Sequence, residues 1–224
     1  MSYIDVFHPA PEIKAVVFDF DGTLALSPLD FGHMHRKARQ ALARYAEVPE
    51  TLEGPILEDI DRICGELAPV TALLARHAAM EAIEEVEVEA AREGALFPFV
   101  RPMLAALRRA DIAAAIITRN CRAAVTAVFP DVNEYAACVL TRKDVERVKP
   151  DPGHLLAALD KMGRPAGQSL MVGDHAMDIL VGKRAGTLTA GVGSGNSSVE
   201  KLADWEPDFL AADAGELLRQ LGLL

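Results

Sequence analysis

The 224-residue sequence lacks several features that define broad protein classes. It has three scattered cysteines, Cys64, Cys121 and Cys138, without CxxC spacing, so neither a disulfide framework nor a structural zinc site is expected. Its first residues show no basic segment followed by an apolar one, and no apolar run reaches the roughly 18 residues of a membrane span. These absences predict a cytoplasmic protein with reduced thiols and no membrane partner.

Basic clusters are also missing. The formal net charge is −10 and no run of lysines and arginines appears, so the sequence does not predict a nucleic-acid partner. An acidic surface repels phosphorylated molecules at long range, so any phosphate site must be a local pocket of positive charge or metal. The acidic run at 81–89 predicts a solvated helix face.

Short apolar runs closed by turns predict the strands of a buried parallel sheet. They lie at 14–20, 112–117, 136–140, 169–172, 187–192 and 208–210. Helical patterns separate them at 102–109, 122–129, 152–162, 178–184 and 214–221. This alternation predicts an α/β fold, with a doubly wound parallel-sheet, Rossmann-like core.

One segment of about 70 residues interrupts the alternation and is far longer than an ordinary loop. Its segments 30–45, 56–67 and 70–92 show helical patterns. In the last of them Leu73, Leu74, His77, Met80 and Ile83 lie near helical spacing, and His77 is expected to pack within the cap. We predict an inserted all-α cap at 25–96, with a catalytic core formed by 1–24 and 97–224.

The first strand is followed by Asp19 and Asp21 within Asp-Phe-Asp-Gly-Thr. Two carboxylates so placed can converge on one site, where their like charges favour a hard cation such as Mg²⁺. One carboxylate can attack phosphorus, and the other can act as general acid and base. The alternative interpretation is an acidic turn without a chemical role.

Two further candidates follow later strands. Thr118, with Arg119 and Asn120, offers a hydroxyl and helix-start N–H groups that can cradle a phosphate. Lys149, which precedes Pro150, can neutralise a transferring phosphoryl group. A helix cap and a surface turn are the respective structural alternatives.

Asp174 ends the fourth strand, and Asp178 follows four residues later. Residues i and i+4 share a helix face, and a carboxylate pair suits a hard cation, although an N-cap aspartate with a surface partner is the alternative. Since all these candidates follow strands, and ligands bind beyond the carboxyl ends of parallel strands, we expect one common site.

Four segments in this order resemble the four motifs of the haloacid dehalogenase superfamily. They are Asp-Phe-Asp-Gly-Thr at 19–23, Ile-Ile-Thr at 116–118, Lys149 in Lys-Pro-Asp-Pro, and Gly-Asp-His-Ala-Met-Asp at 173–178. The resemblance covers nearly the whole chain and is nearest to the phosphoglycolate phosphatase-like branch with a helical cap. Pro98-Phe99-Val100 and the residues at 24–28 depart from that branch's usual pattern.

The resemblance implies a Mg²⁺-dependent phosphatase that acts on a small phosphorylated metabolite through an aspartyl-phosphate. It implies that Asp19 is the nucleophile and that Asp21 is the general acid and base, which favours phosphoryl transfer over carbon–halogen cleavage. The phosphoryl group would be bound by Thr118, Arg119, Asn120 and Lys149. The metal would be held by Asp19, Asp21, Asp174 and Asp178.

Other functions remain open at this level. A phosphomutase with the same core is the nearest alternative, followed by a non-catalytic phosphate-binding module. A phosphonate hydrolase would need a cap lysine, and Lys37 is the insert's only one. His33 and Arg36, at the start of the insert, are candidates for substrate specificity, and the protein is expected to be a monomer or homodimer.

Overall fold

The computed structural model describes residues 12–224, so residues 1–11 of the predicted core lie outside the described part. The strands are β1 (Ala15–Phe18), β2 (Ala25–Leu26), β3 (Ala95–Leu96), β4 (Ala113–Ile117), β5 (Cys138–Leu140), β6 (Ser169–Gly173), β7 (Leu188–Val192) and β8 (Phe209–Ala211). The helices are α1 (Phe31–Leu42), α2 (Ile56–Gly65), α3 (Pro69–Ala91), α4 (Val100–Arg109), α5 (Arg122–Val128), α6 (Val132–Tyr135), α7 (Pro152–Met162), α8 (Ala176–Ala185), α9 (Val199–Ala203) and α10 (Ala214–Gln220).

Six of these strands form one parallel sheet in the order β5-β4-β1-β6-β7-β8. The first strand lies at the centre, where Phe18 pairs with Ile116 on one side and with Val172 on the other. The order reverses direction between β1 and β6, which is the switch point at which α/β proteins bind ligands. The predicted doubly wound fold is therefore confirmed, and all six predicted strands are present.

The sheet is buried because its residues are apolar on both faces. All four residues of β1 are inaccessible, as expected for a parallel strand covered on both sides. One face packs against α7 and α8, and its core cluster comprises Val17, Ala115, Ile117, Leu140, Leu155, Ala158, Leu159, Met171 and Val181. Leucines at 155 and 159 are spaced one helical turn apart, so α7 presents an apolar stripe to the sheet.

The chain divides into two compact units. The sheet unit contains 12–24, 98–119 and 132–224 of the described residues, and the helical unit contains 25–97 and 120–131. The domain boundaries predicted from the sequence left 120–131 in the core, whereas α5 packs on α3, where Ala91, Cys121 and Ala124 form a buried cluster. Cys121 also caps α5, since its Sγ accepts a hydrogen bond from the Ala124 N–H at 3.3 Å.

The helical unit is built on α3, against which α1 and α2 pack. The buried side of α3 is lined by Ala75, Ala79, Ile83 and Val86. Of the residues at helical spacing, Ile83 is buried, whereas Leu73 and Leu74 are exposed. The prediction that His77 packs within the cap is wrong, because His77 is exposed and faces Glu81. Small alanines allow helices to approach closely, so hydrophobicity alone did not identify every buried position.

One glutamate of the predicted solvated run, Glu87, is buried at 5% exposure, so that prediction holds only for part of the run. Among residues 12–224, no helix is both long and apolar enough to cross a membrane.

Candidate active site

The candidate residues of the sheet unit gather at the carboxyl ends of the central strands. Asp19 directly follows β1, Thr118 follows β4, and Asp174 follows β6. The β1 and β6 ends flank the switch point of the sheet, so the two aspartates are adjacent although they are remote in sequence.

Lys149 is the centre of this group. Its ammonium Nζ lies 2.7 Å from Asp19 Oδ1 and 2.6 Å from Asp178 Oδ1, and the residue is only 2% exposed. Burial alone would lower the pKa of Lys149, but the Asp178 and Asp19 carboxylates outweigh it and raise that pKa above its ordinary value. The side chain is therefore a fixed positive charge at neutral pH, and the surface-turn interpretation is wrong.

Asp178 occupies the first turn of α8. Its Oδ1 accepts from Lys149, and its Oδ2 accepts from the His175 backbone N–H at 3.0 Å. His175, which has no role predicted from the sequence, is the N-cap: its Nδ1 accepts from the Met177 N–H at 3.1 Å. Asp174 precedes the helix, so the idea that Asp174 and Asp178 share a helix face is wrong, and so is the N-cap alternative for Asp174. A strand end and a helix start bring them together.

Asp174 is held by groups from two other segments. The Thr23 hydroxyl donates to its Oδ1 at 3.2 Å, and the Asn196 backbone N–H donates to its Oδ2 at 3.0 Å. Ser194 of the same loop donates its hydroxyl to the Gly22 carbonyl at 2.7 Å, which ties the loop to the first motif. These contacts hold the carboxylate in one orientation.

Asp19, Asp174 and Asp178 each offer a carboxylate oxygen within 4.8 Å of the others. Burial, and then the charge of Asp19, raise the pKa of Asp174 to about 6. Burial raises the pKa of Asp178 to about 7, opposed by Lys149 and reinforced by Asp19 and Asp174. One ammonium does not offset three close carboxylates, and this excess of oxygen-borne negative charge fits a hard divalent cation.

Two glycines are required for this close packing. Gly22 has φ +79°, and a Cβ there would collide with the Asp174 carboxylate. A Cβ at Gly173 would collide with the Asp178 carboxyl group. Glycine is the residue that tolerates both the left-handed backbone and the approach of a side chain.

Asp21 and Thr118 are also brought together. The Thr118 hydroxyl donates to Asp21 Oδ2 at 3.4 Å, and Thr118 is almost fully buried. Asp21 is partly exposed to solvent.

The other predicted residues lie elsewhere. The Arg119 guanidinium donates to the Lys149 carbonyl at 2.5 Å, so it supports the lysine segment. Asn120 belongs to the helical unit, where its Oδ1 accepts from the Cys121 N–H at 2.7 Å. His33 and Arg36 lie on α1 of that unit, and Arg36 pairs loosely with Asp30 at 3.9 Å.

Sequence reasoning missed the supports of the site. The Ser194–Asn196 loop could have been found from its position, since it follows β7 at the same sheet edge as the aspartates. Thr23 lies inside the first motif but received no role. Buried His154 contacts Lys149, and nothing in its sequence neighbourhood distinguishes it from an ordinary core residue.

A buried lysine thus lies between two aspartates at the switch point of a parallel sheet. A family model described as haloacid dehalogenase-like hydrolase matches residues 13–186. A phosphoglycolate phosphatase from Vibrio cholerae is 32% identical over 224 residues, covering 92% of this chain and 96% of that protein. The pyrophosphatase PpaX of Anoxybacillus flavithermus is 42% identical over 92 residues, covering 41% of this chain and 43% of that protein.

A solved structure supports the same fold. The crystal structure of a hydrolase from Pseudomonas syringae superposes with a TM-score of 0.67 at 22% identity, covering 93% of this chain and 98% of that one. The chain belongs to the haloacid dehalogenase-like hydrolase family. The resemblance stated from the four motifs is confirmed, and with it the prediction that the protein is an enzyme.

Proposed function

We propose that this protein is a Mg²⁺-dependent phosphatase that hydrolyses a small phosphomonoester through a phosphorylated Asp19. The observation that carries the proposal is the Lys149 ammonium, which lies 2.7 Å from Asp19 and 2.6 Å from Asp178 at the switch point of the sheet. A buried cation beside a carboxylate supplies the positive charge that an incoming phosphoryl group needs in an acidic protein.

Asp19 is the proposed nucleophile. Its Oδ1 accepts from the Phe20 N–H at 2.7 Å and from Lys149 Nζ at 2.7 Å. These two donors fix the carboxylate, and one of its oxygens attacks phosphorus. The Asp19–phosphorus bond forms, the ester P–O bond breaks, and Asp21 gives its proton to the leaving oxygen.

The second step regenerates the enzyme. Asp21, now ionised, takes a proton from water, whose oxygen attacks the phosphorus of the aspartyl-phosphate. The bond between Asp19 and phosphorus breaks, and orthophosphate leaves. The hydrogen bond from Thr118 to Asp21 Oδ2 supports this assignment because it orients the carboxyl group that handles both protons.

The cation would be held by Asp19 and Asp174, with the Asp21 backbone carbonyl. Bound Mg²⁺ supplies electrostatic stabilisation of phosphoryl oxygens. Both Asp178 oxygens already accept strong hydrogen bonds. We therefore propose that Asp178 orients the site around the cation, directly or through water, and does not hold the cation by itself.

Phosphate release from a panel of phosphorylated metabolites tests the proposal. The panel should include phosphoglycolate, pyrophosphate, sugar phosphates and nucleotides, because relatives named for the first two match this chain. We expect release with Mg²⁺, loss of release in EDTA, and no release by Asp19→Asn. Asp160→Asn, an exposed carboxylate on α7, is the matched control and should retain full activity.

Each other outcome points to a different function. Conversion of a sugar phosphate into its isomer without net phosphate release would indicate a phosphomutase. Binding of phosphate without turnover of any panel member would indicate a non-catalytic module. Turnover by Asp19→Asn near the wild-type rate would overturn the mechanism.

We further propose that the helical unit selects the substrate and that the protein acts in the cytoplasm. The helical unit is inserted directly after the first motif, which supports its assignment to substrate selection. Exposed Arg36 is the residue to test, since its ion pair with Asp30 is long and leaves the guanidinium accessible. Arg36→Ala should raise KM for the best substrate and leave kcat little changed.

A further inference from the structure

His154 is a buried histidine with both ring nitrogens engaged. It lies in the first turn of α7 and is 0% exposed. Its Nδ1 accepts from the Lys149 backbone N–H at 3.3 Å, and its Nε2 lies 3.1 Å from the Leu140 carbonyl. A carbonyl can only accept, so Nε2 carries the proton, and an Nδ1 that accepts completes a neutral imidazole.

The two partners of this ring belong to different parts of the site. Leu140 is the last residue of β5, so its carbonyl is fixed by the sheet. Lys149 lies in the irregular segment between β5 and α7, where strand pairing does not hold the backbone. The imidazole therefore joins the lysine backbone to the sheet edge.

Lys149 is anchored at both of its peptide groups. Its N–H donates to His154, and its carbonyl accepts from Arg119 at 2.5 Å. The ammonium must meet two carboxylates at 2.6–2.7 Å, so a shift of the backbone by an ångström would break one contact or both.

The His154 imidazole is uncharged at neutral pH. Burial, followed by the charge of Lys149, lowers the pKa of His154 to about 4, against weaker opposing effects of the Leu140 carbonyl and Asp19. At neutral pH the ring adds no second positive charge beside Lys149. A cationic ring would also lose the acceptor at Nδ1.

We infer that His154 is a positioning residue, which holds the Lys149 backbone so that the ammonium reaches Asp19 and Asp178 together. This inference rests on the proposed function for its effect on turnover. Its structural part, the bond from Lys149 N–H to the ring, stands without that function.

Three substitutions separate the two hydrogen bonds. His154→Asn keeps an acceptor near the place of Nδ1 and removes the donor to Leu140. His154→Gln keeps a donor near the place of Nε2 and removes the acceptor for Lys149. His154→Phe fills the space but removes both groups, and Leu159→Ala in the same helix controls for general loss of stability.

Two readouts are measured on the full-length protein. Exchange of the Lys149 amide hydrogen, followed by NMR, should be about tenfold or more faster in His154→Gln and His154→Phe than in wild type, and close to wild type in His154→Asn. With Mg²⁺ and the best panel substrate, the same two variants should lose about tenfold to hundredfold in kcat with little change in KM. Leu159→Ala should change neither quantity appreciably.

The inference is overturned if His154→Gln keeps wild-type amide protection, or if His154→Asn loses as much protection as His154→Phe. Equal loss of kcat in His154→Gln and Leu159→Ala would also overturn it, since it would show a general effect of destabilisation. If wild-type protein releases phosphate from no substrate, the proposed function fails, and the amide exchange still decides the role of His154.

Discussion

Replacing Lys149 by methionine removes the ammonium while keeping a side chain of similar length. The substitution leaves Asp19 and Asp178 near one another without the cation that now lies 2.7 and 2.6 Å from them. Asp178 is 1% exposed, so solvent cannot replace the lost charge. We therefore expect a large effect on stability as well as loss of turnover.

The size of the effect follows from burial. Removing one partner of a buried ion pair lowers the free energy of unfolding by about 3–5 kcal/mol. The unpaired carboxylates, which also repel Asp174, would account for most of this loss. With a urea m-value of about 3 kcal/mol per molar, the unfolding midpoint should fall by about 1–1.7 M.

The assay is urea unfolding at pH 7.5 in EDTA, so that no divalent cation compensates for the lost charge. Lys161→Met is the control, because Lys161 is exposed on α7, and its midpoint should stay at the wild-type value. Lys149→Met combined with Asp178→Asn should recover part of the loss, since the second change removes one buried charge.

A midpoint for Lys149→Met that matches both wild type and Lys161→Met would refute the reasoning. The reasoning would also be refuted if adding Asp178→Asn to Lys149→Met lowered the unfolding midpoint by as much as Asp178→Asn lowers the midpoint of the wild-type protein. Either result would mean that the ammonium is not the counter-charge of these carboxylates.

Three further outcomes follow from the geometry. Gly173→Ala should destabilise the sheet unit and abolish turnover, because the new Cβ collides with the Asp178 carboxyl group. Thermal melting and a turnover assay measure the two effects. Asp19→Asn should retain the fold by circular dichroism while losing turnover by about three orders of magnitude or more. The unfolded chain binds a proton at His154 between pH 4 and its ordinary pKa, and the folded chain does not, so this group's contribution to stability falls on acidification through that window. The stability difference between wild type and His154→Phe should narrow by about 2 kcal/mol from pH 7 to pH 5 in urea titrations.

Contrary results are equally specific. Normal melting and activity of Gly173→Ala would mean that the Asp178 carboxyl group has room to move. A denatured Asp19→Asn variant would leave the loss of turnover without mechanistic meaning, and Asp160→Asn then serves to compare expression and folding. A constant difference between wild type and His154→Phe across pH would show that the ring is not kept neutral by its surroundings.

Local pattern in the sequence was sufficient for the architecture of the sheet unit. The runs ending at Asp19, Thr118 and Asp174 are apolar, short and closed by turns, and each is a strand of the sheet. Helix α7 begins at Pro152 and ends before Gly163, as its end signals predict. These features depend on neighbours a few residues away, so the sequence shows them directly.

Order within the sheet and the side of α3 that is buried depended on the tertiary structure. Alanines at 75 and 79 are buried while Leu73 is exposed, because the choice of face depends on how closely another helix can approach. Segment 120–131 groups with the helical unit for the same reason, since its partner α3 lies earlier in the chain.

The sequence by itself determined which residue types form the candidate site: carboxylates, a lysine and a hydroxyl at the ends of apolar strands, in an order that identifies the family. Only the tertiary structure decided how they meet. Thr23 and Asp174 are 151 residues apart and lie 3.2 Å from one another, and Lys149 lies between two aspartates from different segments. Such distances are set by the crossing of parallel strands and by the packing of helices on them, and no local pattern encodes either.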